Sequence, residues 1–403
     1  MVPNIPKRIL YVTAVLQKNW PGGEPIIAKN TIESLKSMGY NVKATLYKSR
    51  FGNFMTGLFG QWRTIFTLSD SFVLSYIYYK KIIRRENPDI IIAQYDYDSS
   101  IIKAAFDENK KIIVNTQIWW PTCPKITRFT YDGKICQGFT KSDCKICLFK
   151  SIEPTSIKEK LMKYSSLLLT NNRIHKKMKN RIDLLKKDNV TIVALSSQMR
   201  DHFVTYGIPE EKIKILPNGA SFKGLASNNI HRGKIVCFYG GEFEPKGFEI
   251  FFQVAEIVKT KYPDIQFVVA GNYKNKSPYV DFVGLLNHGE VEKLMAKSKC
   301  TVIPSIWDEP FALVAIESMA VGTPVVAFDV GILKNIIRDG EGGFIVPLMA
   351  IDEMVDRIIQ IVNDDELFAK LSENGRGLAY EKFTENKRMA LLNKIITGLL
   401  KYI

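Results

Sequence analysis

Short runs of β-branched and aliphatic residues recur along the chain, each separated from the next by an amphipathic stretch of helix length. Apolar runs of this kind, without strict polar alternation, predict strands buried on both faces, and therefore parallel sheets covered by helices. RILYVTAV, NVKATLY, DIIIAQY, KIIVNTQI and TIVALS are expected to form a first sheet. KIVCFYG, IQFVVAG, VDFVGLL, CTVIPS, PVVAF and GFIVP, all after residue 233, are expected to form a second. LPNGASFKGLASNNIHRG (216–233) lies between them, polar and rich in Gly, Ser and Asn, and reads as an interdomain linker. The expected architecture is α/β, with two doubly wound domains facing each other across a cleft. Residues 1–205 would form the first domain, with an insertion at 119–150, and residues 206–378 the second. A C-terminal helix in 379–403 would cross back to the first.

Composition narrows the class. At 403 residues the chain has room for two domains of about 200 residues with large cores. Hydrophobic content of 46% with 24% charged residues excludes a disordered chain. ILYVTAV is short and lacks a small-residue cleavage site, so it reads as a buried strand and not as a leader. No uninterrupted run reaches the roughly 18 to 20 apolar residues of a membrane span. The expected location is cytoplasmic.

The net charge of +15 is concentrated, because residues 158–187 hold ten Lys or Arg against Glu159 and Asp183. The mix of Leu, Ile and Met with bases suits a helix lying peripherally on an anionic membrane at its cytoplasmic face, and equally a solvated helix face. Nucleic acid is not an expected partner, since aromatics for base stacking are not interleaved there.

Ligands of doubly wound sheets bind where strand carboxyl ends lead into helix N-termini. NWPGGEP, GGEFEPKG and SIWDEP occupy such places, with Gly22, Gly23, Gly240 and Gly241 allowing close backbone approach and Lys246 supplying a cation. Taken singly, each glycine-rich turn is an ordinary tight turn. Pro310 suits a first helical position, predicting a helix over 311–320 that ends at Gly322. Glu309 then stands at the helix mouth and Glu317 two turns inside. A buried carboxylate needs donors, and either a structural salt bridge, a helix cap or the hydroxyls of a sugar or ribose would supply them.

The segments EPFALVAIESMAVGTPVVAFDVG, LPNG, YGGEFEPKG, VVAGN and VDFVGLL together resemble the retaining family 4 glycosyltransferases of the GT-B fold, over nearly the whole chain. The resemblance implies two Rossmann-like domains. The protein would transfer a sugar, with retention, from a nucleotide-diphosphate-sugar to the hydroxyl of a glycan or lipid-linked acceptor. Glu309 would hold donor-sugar hydroxyls and Glu317 the ribose. Lys246 would neutralise the diphosphate, helped by the N–H groups of Phe311, Ala312 and Leu313. Asn272, Val283 and Gly284 would lie along the donor, the strand end at 283–284 meeting the base through its main chain. Gly22 and Gly23 would approach the diphosphate from the first domain. The leaving phosphate itself would take the acceptor proton, so no cofactor is expected for catalysis.

Several positions depart from the family pattern. Gln117 stands where a histidine is usual, Gly241 where Arg or Ser is usual, and Ala312 and Val330 each replace a glycine. Glutamine can hydrogen-bond a hydroxyl but cannot shuttle a proton. These departures motivate an alternative, a catalytically weak nucleotide-sugar-binding or scaffold protein on the same fold, or a nucleotide-sugar epimerase. The DYD at 96–98 could hold a metal in another glycosyltransferase fold, although Asp98 reads more simply as a helix cap.

Finally, Cys123, Cys136, Cys144 and Cys147 fall within one short segment. A Cys-x2-Cys pair with two further cysteines suits a structural zinc; disulfides and an iron–sulfur cluster are the other readings.

Overall fold

The computed structural model describes residues 8–13, 24–46, 72–94, 99–138, 141–151, 173–222, 231–274 and 276–401. Its chain divides into two compact units, Met1–Pro217 with Met389–Ile403, and Asn218–Arg388.

In the first unit β1 (Arg8–Thr13), α1 (Glu24–Ser37), β2 (Asn41–Leu46), α2 (Phe72–Glu86), β3 (Ile90–Gln94), α3 (Ser100–Asp107), β4 (Lys111–Asn115), α4 (Lys141–Lys150), α5 (Arg173–Leu185), β5 (Val190–Ala194), α6 (Ser197–Thr205) and β6 (Ile213–Ile215) follow in order. The strands form a parallel sheet in the order β2-β1-β3-β4-β5-β6. Every residue of β3 and β5 is buried, which is why their sequences are continuous apolar runs. β6 escapes the sequence pattern: it has three residues, and only Ile213 is buried.

The second unit contains β7 (Ile235–Tyr239), α7 (Phe248–Lys261), β8 (Gln266–Ala270), β9 (Asp281–Gly284), α8 (His288–Lys297), β10 (Cys300–Ile303), α9 (Leu313–Ala320), β11 (Val325–Phe328), α10 (Leu333–Ile337), β12 (Gly343–Val346), α11 (Ile351–Asn363) and α12 (Asp365–Lys382). Its parallel sheet runs β12-β11-β10-β7-β8-β9. Chain order reverses direction between β7 and β10, and the crevice beyond the carboxyl ends of two such strands is where an open α/β sheet takes its ligand. The last helix, α13 (Glu385–Leu400), begins in the second unit and continues into residues that cluster with the first. There Asn393 accepts a bond from the Tyr40 hydroxyl at 2.6 Å.

The linker reading needs refinement. Leu216, Asn218 and Ala220 are buried, and Gly219 packs so closely that a Cβ would lie 2.8 Å from the Thr384 carbonyl oxygen. The stretch around LPNG is thus a fixed joint, while 223–230 lie outside the described residues.

The basic segment also reads differently in three dimensions. Met178, Ile182 and Leu185 of α5 are buried, and the Arg181 guanidinium is buried too, donating to the Trp120 carbonyl and lying over its ring. The apolar stripe of this helix serves the core, while Lys176, Lys179, Asn180 and Asp183 are exposed. Residues 152–172 lie outside the described residues.

Candidate functional site

Lys246 lies in the loop that leaves β7. A 3-10 turn over Glu244–Lys246 ends at Gly247, whose φ of 73° is left-handed and which also starts α7. A Cβ on Gly247 would stand 1.9 Å from the Pro304 carbonyl oxygen, so this turn is pressed against the loop leaving β10. The Ile306 N–H donates to the Pro245 carbonyl at 2.9 Å, tying the two loops together. The outer end of the β7 loop is held from β8: the Tyr273 hydroxyl donates to the Gly240 carbonyl at 2.9 Å and the Lys274 N–H to Glu242 at 2.6 Å.

Glu309 lies in the second loop and is only 2% exposed. Lys246 Nζ stands 3.0 and 2.8 Å from its Oε1 and Oε2. The Ser305 hydroxyl at 3.1 Å and the Trp307 indole N–H at 2.8 Å also donate to Oε2. Lys246 Nζ lies 5.1 Å from the centre of the Trp307 ring, a cation–π contact. From behind, Gly331, after β11, comes so near that a Cβ would be 2.2 Å from the Glu309 carbonyl oxygen, and the Ile332 N–H donates to that oxygen at 3.1 Å. Three strand-end loops thus converge on one carboxylate.

The helix begins later than the sequence suggests. It starts at Leu313, with Ala312 as cap and Pro310 and Phe311 still in the loop. The extra loop residues let the Glu309 side chain turn inward to its donors. Phe311 and Ala312 are buried, and among the described residues no backbone carbonyl accepts from the N–H groups of Phe311, Ala312 and Leu313. They are the orphan donors of a helix start. Glu317, one turn further along α9, is half-buried, and nothing among the described residues donates to it. Burial, with the nearby Glu292 carboxylate adding, pushes its carboxyl up to about 8.

Asn272, Val283 and Gly284 are exposed at the carboxyl ends of β8 and β9, on the same edge of the sheet. The Gly284 carbonyl accepts the Gly271 N–H at 2.8 Å. Gly240 and Gly241 lie in the Lys246 loop. Gln117 is buried just after β4 in the first unit, donating to Asn115 at 3.0 Å. Gly22, Gly23, Asp96 and Asp98 lie outside the described residues, and the cap position of α3 belongs to Ser99. Trp307, Ser305 and Tyr273 were not legible as site residues; Ser305 and Trp307 stand in SIWDEP without a spacing that points to the acid, and Tyr273 falls just past VVAGN.

The cysteine segment carries more structure of its own than its composition suggests. Arg128 lies over the Trp119 ring, its guanidinium donates to the Cys136 carbonyl at 2.8 Å, and its N–H approaches Cys123 Sγ at 3.4 Å. His202 packs edge-on against Trp119 and pairs with Thr122; burial, with the Arg128 charge, lowers it to about 3, so it is neutral. All four cysteines are free thiols. Burial, with Cys136 and Cys147 nearby, raises the Cys123 thiol. Among the described residues no group of three or more His, Cys, Asp or Glu side chains is gathered to hold a metal ion.

The buried acid–lysine pair stands at the switch point of the second sheet, beside the mouth of α9, in a chain of two Rossmann-like units of the GT-B kind. The whole chain has that fold: it superposes on sucrose-phosphate synthase from Thermosynechococcus elongatus with a TM-score of 0.67 at 16% identity, covering 98% of this chain and 100% of that one. Anabaena HepE in complex with UDP gives 0.65 at 16% identity, with the same coverages. Residues 224–378 match the family model of the glycosyl transferases group 1. A phosphatidyl-myo-inositol mannosyltransferase of Mycobacterium leprae is 29% identical over 167 residues, 38% of this chain and 45% of the relative. The chain thus matches less than half the length of that relative. No described helix is long and apolar enough to cross a membrane.

Proposed function

We propose that the protein transfers a sugar from a nucleotide-diphosphate-sugar to the hydroxyl of a glycan or lipid-linked acceptor, with retention at the anomeric carbon. The observation that carries this reading is the Lys246–Glu309 pair at the mouth of α9, with a second carboxylate, Glu317, one turn on, to which nothing among the described residues donates. The diphosphate would draw Lys246 and the free N–H groups of 311–313, and ribose hydroxyls would donate to Glu317. Glu309 Oε1 would face sugar hydroxyls. In the reaction the bond from the anomeric carbon to the phosphate oxygen breaks and the bond to the acceptor oxygen forms on the same face. The acceptor proton passes to the leaving phosphate, whose developing charge Lys246 and the helix N-terminus stabilise. The lipid-linked acceptor is supported by the named activity of the mannosyltransferase relative, and the nucleotide by HepE's UDP.

Binding itself tests the reading. A thermal-shift screen of UDP-glucose, UDP-N-acetylglucosamine and GDP-mannose should raise the unfolding temperature by mass action. The effect should depend on pH. Below about 8 the unliganded Glu317 is protonated, and hydroxyl donors favour its charged form, so binding releases a proton. Affinity should therefore rise from pH 6.5 to 8 and level off above. Glu317→Gln should bind weakly at every pH, and a flat wild-type profile would remove the ribose role.

The four cysteines have the donor chemistry of a structural zinc site, and we propose Cys123, Cys136, Cys144 and Cys147 as its ligands, supported by that chemistry and by the Cys-x2-Cys spacing of Cys144 and Cys147. Mass spectrometry of the native protein should then find one zinc per chain; folded, metal-free protein would exclude it.

A further inference from the structure

A buried carboxylate that trades its only cation for a ligand faces an electrostatic problem. While Lys246 is paired with Glu309, the acid is neutralised. When Lys246 turns to a diphosphate, Glu309 stays in a site where it is 2% exposed. Without other donors its charge would be unpaired there, and burial works against an unpaired carboxylate. Two neutral donors remain, Ser305 at 3.1 Å and the Trp307 indole at 2.8 Å, both on Oε2.

We propose that Trp307, assisted by Ser305, is a positioning residue that keeps Glu309 ionised and oriented when Lys246 leaves it for the diphosphate. The division of the carboxylate supports this. Oε2 accepts from Lys246, Ser305 and Trp307, whereas Oε1 accepts from Lys246 alone. Once the lysine moves, Oε2 stays anchored and Oε1 becomes the free acceptor. An indole N–H suits the anchor because it only donates and cannot titrate. The same ring guides the lysine, since its face lies 5.1 Å from Nζ and it is itself steadied edge-on by Phe243, ring centres 5.9 Å apart. Phe243 is 43% exposed, on the outer side of this assembly. The other charged groups on the flanking loops are Glu242 and Glu244 beside Lys246, Asp308, and the Asp329–Lys334 pair, whose atoms lie 3.5 Å apart.

The electrostatic part needs no substrate, whereas the catalytic consequence rests on the transfer reading above. Carbon-13 NMR of the glutamate carboxyls in Lys246→Ala isolates Glu309 with its neutral donors. Adding Trp307→Phe, which keeps the ring and removes the N–H, should move the Glu309 titration to higher pH by about one or more. Ser305→Ala in the same background should move it in the same direction, and serves if the tryptophan variant does not fold. Identical titration with and without these donors overturns the proposal. With Lys246 in place, Trp307→Phe should lower kcat roughly ten- to a hundredfold while the donor KM changes by less than about threefold. An unchanged kcat, or a loss confined to KM, also overturns it. If the wild type turns over none of the three nucleotide sugars while the titrations differ as expected, the proposed function fails and the electrostatic role of Trp307 stands.

Discussion

Replacing Lys246 by alanine, or Glu309 by glutamine, should each lower sugar transfer by roughly a thousandfold or more while leaving the protein folded. Lys246 is the cation paired with Glu309, and among the described residues no other side-chain cation contacts this pair to meet the phosphate charge that would develop in the reaction. The departure at Gly241, where Arg or Ser is usual in the resembling family, leaves Lys246 less helped. Glutamine at 309 keeps the shape of the side chain and can still accept from Trp307 and Ser305. It loses the charge that orders Lys246, and its amide would turn donors toward a donor. The two losses should not add, because each change disables the same unit, so the double variant should be about as inactive as either single one. The stability cost should be modest despite the burial of Glu309, because the lysine is 34% exposed and water reaches its end of the pair. Initial rates with a nucleotide sugar, beside a thermal unfolding curve for each variant, make the measurement. Activity within tenfold of wild type in either single variant would remove the pair from the mechanism.

Gly247→Ala should be damaging for a reason unrelated to chemistry. Its φ of 73° disfavours any side chain, and the new Cβ would fall 1.9 Å from the Pro304 carbonyl oxygen and 2.8 Å from its carbon. Backbone atoms cannot rotate aside, so the β7 and β10 loops would have to part. The loss should be about 3 kcal/mol or more, an unfolding temperature lower by roughly 6–12 °C for a unit of this size. The same separation carries Lys246 away from Glu309, so activity should fall with stability. Gly377→Ala is the control. It lies inside α12 with open space where the Cβ would go, and should be neutral or stabilise by about 0.5–1 kcal/mol. Equal stability of the two variants would show that the loops are not locked at Gly247.

How much of this was legible beforehand depends on the range of the interaction involved. The strands beneath the site could be read because burial on both faces writes itself into consecutive residues, as in DIIIAQY and PVVAF. β6 could not, since three residues at a sheet edge, one of them buried, leave no period. The boundary of α9 was displaced because a proline placed for a helix start competes with tertiary pull: Glu309 bonds Lys246, 63 positions away in the chain. The basic segment was ambiguous for a similar reason. An apolar stripe among lysines has the same sequence signature whatever it meets, and only the packing shows that Met178, Ile182 and Leu185 are buried.

By itself, then, the sequence determined the class: two series of buried parallel strands, a joint between them, and a pair of acids eight residues apart next to a lysine-bearing glycine loop. Such features are local, carried by periodicity and by residues near one another in the chain. The tertiary structure alone decided which groups answer those acids. Glu309 is held by a lysine from another loop, an indole and a hydroxyl, while Glu317 is left without a donor. That difference arises because the carboxyl ends of β7, β10 and β11 meet at one place, and the ionisation of a buried carboxylate depends on what surrounds it in space.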